Sequence, residues 1–115
     1  MTKISYGSYD GGFYFEAHGH AVSEELFGGY GCDESDSKAV CAAISMLVLA
    51  ARERLSELES EGGTYRLSSE VEEGYACFDV MPRECAAECV EEIFRTLMAG
   101  FGLLEENYPE LIACC

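Results

Sequence analysis

From Ala39 to Ala51 no side chain is charged, in a sequence where 25% of residues are charged. The stretch is too short for a membrane span, which takes about 20 apolar residues, so protein has to cover it. Ile44, Val48, Ala51, Leu55 and Leu58 recur through it at helical spacing. A helix is therefore expected, capped by Asp36 or Ser37 and deeply buried over its first half. Arg52, Glu53, Arg54, Glu57 and Glu59 carry its second half into water, and Gly62-Gly63 ends it.

Such a helix needs a sheet or another helix to lie on. Two segments, Lys3 to Tyr9 and Phe13 to His18, flank Asp10-Gly11-Gly12. Phe13 and Phe15 alternate with Tyr14 and Glu16, and Asp-Gly favours a tight turn, so the pair reads as a hairpin. Thr64 to Leu67 and Gly74 to Met81 read as a second pair of strands. Pro82 suits the first turn of a second helix, whose stripe is Val90, Ile93, Leu97, Phe101 and Leu104. Gly100 and Gly102 each cost that helix about 1 kcal/mol against alanine. The order ββαββα predicts an α+β fold: an antiparallel sheet of about four strands with two helices on one face. The 115 residues fit a single domain, residues 1–115. Between Gly19 and Ser37 periodicity disappears and Gly28, Gly29 and Gly31 cluster around Tyr30. A loop this long is usually functional or mobile.

With 22 acidic and 7 basic residues the formal net charge is -15. A phosphate backbone or an anionic membrane surface would be repelled, so neither nucleic acid nor membrane is an expected partner. A basic protein or peptide is favoured, and the same acid equally serves solubility. Seven cysteines, an odd count with no secretory signal in the opening residues, argue against a disulfide framework and for a cytoplasmic protein. No Cys-x-x-Cys is present, so zinc spacing is absent and no cofactor is expected.

The chemistry concentrates at the two ends of the long loop. A thiolate, not a thiol, attacks a carbonyl, so a nucleophilic cysteine needs help to ionise. Cys41 falls near the start of the predicted helix, where backbone N–H groups and the helix dipole favour an anion. His20 follows a strand at the near end of the loop and offers the imidazole that takes the proton. Ser45, four residues after Cys41, shares its helical face and can orient the site. The helix-start amides would also receive an oxyanion, and the small Ala42 and Ala43 leave room for a substrate backbone. Plainer readings stand beside these. Cys41 also continues the stripe of Ile44 and Val48, and His20 also suits a strand-end hydrogen bond. His18 and His20 form a metal-like pair with no third ligand at diagnostic spacing, so no metal site is assigned. Cys114-Cys115 reads as a frayed tail.

Three segments in this order, Gly19-His20-Ala21, Tyr30-Gly31-Cys32-Asp33 and Val40-Cys41-Ala42-Ala43-Ile44-Ser45, resemble the ribosomal-processing cysteine protease family Prp. Glu105-Glu106-Asn107-Tyr108-Pro109-Glu110 is similar to that family's C-terminal end. The resemblance implies an α+β homodimer with His20 as base and Cys41 as nucleophile, Gly19 and Ser45 as supporting positions, and a mobile loop between base and nucleophile. It implies as substrate the large-subunit ribosomal protein L-twenty-seven, from which a short hydrophobic N-terminal extension ending in paired phenylalanines is removed. The sequence departs from the family at Lys38, where an aspartate usually stands three residues before the cysteine. Asp33 and Asp36 are the carboxylates left to orient the base or cap the helix, and the loop is longer around Glu34 to Ser37. These departures motivate an alternative, a non-catalytic member that binds the ribosomal protein or its precursor without cutting it.

Overall fold

The computed structural model describes residues 1–19 and 34–114. The chain forms strands β1 (Thr2–Tyr9) and β2 (Gly12–His18), helix α1 (Glu34–Ser60), and strands β3 (Thr64–Glu72) and β4 (Tyr75–Pro82). A short 3-10 turn (Glu84–Ala86), helix α2 (Ala87–Asn107) and strand β5 (Ile112–Cys114) complete it. The strands make one sheet in the order β3-β4-β2-β1-β5. Asp10 and Gly11 both take positive φ, 46° and 83°, which turns β1 into β2 as the Asp-Gly pair predicts.

The class is α+β, but the sheet is mixed and has five strands. β5 runs parallel to β1, pairing Thr2 with Ile112 and Ile4 with Cys114. The frayed tail expected at Cys114 is instead a sheet edge, further held by a hydrogen bond from the Cys114 amide to the Glu105 carboxylate at 2.7 Å. Cys115 lies outside the described residues. β3 extends five residues past Leu67, because Ser68 to Glu72 pair with β4 down to the Glu72–Tyr75 step. Pro82 closes β4 opposite Thr64 rather than opening α2. An edge or strand end tolerates the missing donor.

One face of the sheet carries the core. Ile4, Phe15, Ala17, Ala76, Phe78 and Val80 share that face by register and are buried with Val48, Leu55, Val90, Phe94, Leu97 and Phe101 of the two helices. Phe15 stacks on Phe78 in the sheet and on Phe101 of α2, each at 5.5 Å between ring centres. Phe94, which the predicted stripe omits, stacks on Phe13 at 5.7 Å. Such pairs add about 0.5–1.5 kcal/mol beyond area burial. Gly100 lets α2 approach α1: a Cβ there would stand 2.9 Å from the Leu47 methyls.

The first half of α1 is not buried all round. Val48 and Ala51 face the core and Val40 is buried in a second, smaller cluster, whereas Ala39, Ala42, Ser45, Met46, Leu49 and Ala50 are exposed, Met46 by 67%. Lack of charge marks a surface that the other described residues leave open.

Candidate active site around Cys41

α1 begins at Glu34, so Asp36 and Ser37 sit inside its first turn instead of preceding it. Cys41 consequently lies in the second turn. Its backbone N–H is past the four that an α-helix leaves without an intrahelical partner. The amide-rich tip expected around the sulfur, and the oxyanion site expected from it, belong to earlier residues. An acidic Asp36 in the first turn is where the dipole favours it.

Cys41 stands on a small platform separate from the main core. Val40 and the wholly buried Leu111 form its centre, with Cys41, Ile44 and Tyr108 packed against them. The Tyr108 amide donates to the Leu104 carbonyl at 2.7 Å, and the Tyr108 carbonyl accepts from Leu111 at 2.9 Å. This turn carries the chain from α2 into β5 and brings the C-terminal motif beneath the cysteine.

A cavity of about 150 Å3 opens beside Cys41, between α1 and the end of the sheet. Gly19, Cys41 and Ser45 all line it, together with Thr2, Glu72 and Tyr75. Three residues that the sequence singles out thus meet at one place. His20 and Asp33 lie outside the described residues. Asp36 is five residues before Cys41, roughly 140° around the helix, and is not among the described residues lining the cavity.

Gly19 ends β2 in a conformation that needs glycine. Its φ is +88°, and a Cβ would lie 2.6 Å from the Met1 carbonyl oxygen. Its amide donates to the Gly74 carbonyl in the β3–β4 turn at 2.8 Å, and its own carbonyl accepts from the Thr2 hydroxyl at 3.1 Å. Sequence reasoning misses Thr2, Gly74, Tyr108 and Leu111 as parts of the site. The sequence reads Gly74 only as the start of a strand and Tyr108 only as part of the C-terminal motif; Thr2 and Leu111 carry no signal, because they join through pairing of distant segments.

The uncovered face of the sheet borders the cavity at Tyr75 and Glu72. The Tyr75 hydroxyl is pushed up to about 12, first by its hydrogen bond with Cys77, then by loss of water and by the charges of Cys77, Glu16 and Glu70. Glu70 is held above the usual carboxylate range by its hydrogen bond with Glu72. His18 pairs with the Glu16 carboxylate, and its ring lies 5.0 Å from that of Tyr75. Among the described residues no group of three His, Cys, Asp or Glu side chains is placed to hold a metal ion. Cys41, Cys77, Cys85, Cys89 and Cys114 carry thiols rather than disulfides. A larger apolar cavity of about 430 Å3 lies between α1 and α2, lined by Leu47, Ala50, Ile93 and Thr96. Its described lining holds none of the candidate catalytic residues.

The fold and cavity define a small α+β protein with a thiol at the wall of a cleft wide enough for a side chain. The chain belongs to the family of the cysteine protease Prp, whose family model matches residues 1–113. It is similar in structure to the ribosomal processing protease Prp from S. aureus in complex with a covalently linked product peptide. That likeness has a TM-score of 0.65 and 22% identity, and covers 99% of this chain and 97% of the other. The S. aureus protease in complex with a substrate peptide gives a TM-score of 0.66 at 16% identity, covering 100% and 98%. SMU.848 from Streptococcus mutans gives 0.63 at 22% identity, covering 99% and 91%. No curated protein sequence matches the chain.

Proposed function

We propose that this chain is a cysteine endopeptidase in which Cys41 is the nucleophile and His20 the general base. The observation that carries the reading is that Gly19, the residue bonded to His20, lines the same cavity as Cys41 and Ser45. Because Cys41 stands in the second helical turn, ionising its sulfur falls chiefly to the imidazole rather than to free amides. The Cys41 sulfur attacks the scissile carbonyl carbon and the peptide C–N bond breaks. The amine leaves with the proton that His20 took from the thiol. Water, deprotonated by His20, then cleaves the thioester and restores the thiol. Ser45, one turn after Cys41 on the cavity wall, orients the pair. Asp33 or Asp36 is the carboxylate left to support His20 where the family's usual aspartate is replaced by Lys38. No cofactor enters the reaction.

The substrate class proposed is a ribosomal protein precursor with a hydrophobic N-terminal extension, the large-subunit protein L-twenty-seven in particular, processed in the cytoplasm. Support comes from family membership and from the apolar lining that Ala17, Ile44, Val48 and Val71 give the cavity. No helix is long and apolar enough to cross a membrane among the described residues. The acting form proposed is a homodimer, since α1 exposes an uncharged face that a second copy would cover.

The reduced protein is expected to cleave a peptide spanning the extension junction, and Cys41→Ala and His20→Ala each to lower kcat by at least about a thousandfold. Iodoacetamide should modify Cys41 ahead of the exposed Cys85 and Cys89, read by peptide mapping. Peptide that binds wild type and Cys41→Ala equally, and is never cut by either, would instead identify a binding member of the family. Lys38 at the usual aspartate position is the feature that favours this second reading.

A further inference from the structure

The cysteine platform and the Gly19 turn are joined by one residue, Thr2. Thr2 is 3% exposed and lines the Cys41 cavity. Its amide donates to the carbonyl of Leu111 at 2.9 Å, and Leu111 with Val40 is the core of the platform that carries Cys41. Its hydroxyl donates to the carbonyl of Gly19 at 3.1 Å. A planar peptide fixes its N–H opposite its C=O, so holding the Gly19 carbonyl fixes the plane through which the chain leaves for His20. The Gly19 amide is held at 2.8 Å by Gly74. Without the Thr2 hydroxyl, only the carbonyl side of Gly19 would lose its restraint.

We infer that Thr2 is a positioning residue, tying the Cys41 platform to the Gly19–His20 step and thereby setting the separation of nucleophile and base. The inference rests on the Cys41–His20 reading. A hydroxyl is required there, and a β-branched side chain of the same shape does not suffice. Leu111 and Val40 keep their packing when only the hydroxyl is removed, so the loss appears in the chemical step and not in substrate binding.

The test compares Thr2→Val, which keeps the shape and the backbone amide, with Thr2→Ser, which keeps the hydroxyl. Kinetics on a junction peptide are paired with NMR titration of the imidazoles. The sequence holds two histidines, and His18→Gln assigns the signals. Thr2→Val is expected to lower kcat roughly tenfold with KM unchanged, as misplaced catalytic groups do. It should also move the His20 titration midpoint toward the value seen in Cys41→Ala. Thr2→Ser should restore both. A Thr2→Val protein that matches wild type, or a Thr2→Ser protein as impaired as Thr2→Val, overturns the inference. If the His20 midpoint responds to Cys41→Ala and not to Thr2→Val, the pair stands and the Thr2 inference alone fails. Indifference of His20 to Cys41→Ala removes the pair, and the inference with it.

Discussion

A Cβ at position 19 would press on the Met1 carbonyl oxygen at 2.6 Å, in a backbone already at φ +88°. Backbone, unlike the end of a flexible side chain, has little room to yield. Gly19→Ala is therefore expected to destabilise the protein by about 1–3 kcal/mol, measured by urea unfolding. The loss of cleavage should exceed that loss of stability, since at temperatures where the variant remains folded the step into His20 is still displaced. A variant that unfolds earlier but keeps full kcat while folded would separate Gly19 from the catalytic geometry. The glycine was legible in the sequence as half of a Gly-His step. Its reason was not, because the oxygen that forbids a side chain belongs to Met1, eighteen positions away along the chain and brought near by the β1–β2 pairing. Cys41 shows the converse: its neighbours Ile44 and Ser45 are local and were legible, while Leu111 was not, and Tyr108 was legible as part of a C-terminal motif but not as a neighbour of the cysteine.

Among the elements, the first hairpin and the stripe of α2 stand where the sequence puts them, although α2 opens at Ala87 and not at Pro82. The first hairpin follows from alternation and an Asp-Gly turn, and α2 from a 3.6-residue stripe. β5 carried neither signal: Ile112-Ala113-Cys114 is too short to alternate, and it exists because β1 offers it a parallel edge. The far half of β3, Ser68 to Glu72, has poor strand propensity and is held by pairing with β4, so tertiary context overrides composition. That override has an electrostatic cost. Glu70 and Glu72 come to share a face, and their hydrogen bond holds Glu70 above the usual carboxylate range. A carboxyl whose folded value is raised favours folding fully below its ordinary value of 4.5, and that contribution is lost as pH rises through the folded value. Asp79, two rows along the same face, has the opposite sign. The Tyr9 hydroxyl at 2.5 Å, and next Arg66 at 3.0 Å, hold it below its ordinary 3.8, so its contribution is present above that value and lost in stronger acid. Glu70→Gln is accordingly expected to raise the melting temperature slightly near neutrality. The gain should fade as pH falls through the carboxylate range. A gain equal at all pH values would point to packing instead of charge, and thermal melts across that range decide it.

For the whole molecule the decisive quantity is the net charge of -15. Two copies repel at long range, so a homodimer has to meet where the surface carries least charge and must associate more tightly as salt screens the rest. The exposed side of α1 from Ala39 to Ala50 fits that demand, with no charge, small residues that permit close approach, and Met46 and Leu49 exposed by 67% and 40%. The sequence expectation of deep burial for this stretch fails within one chain, because absence of charge reports that a surface is covered without saying by what. Ser45 and Leu49 stand on this face and also line the Cys41 cavity, so a copy docked on α1 would border the site. Met46→Glu would place a charge within the proposed contact. It is expected to raise the dimer Kd by at least about tenfold, equivalent to about 1.4 kcal/mol, as read by light scattering at fixed protein concentration. Because the site adjoins the contact, kcat/KM per chain should fall on dilution of the wild type and become independent of concentration in the variant. A dimer undiminished by Met46→Glu, or one that weakens as salt is added, would place the contact on another surface and leave the exposed side of α1 for the substrate.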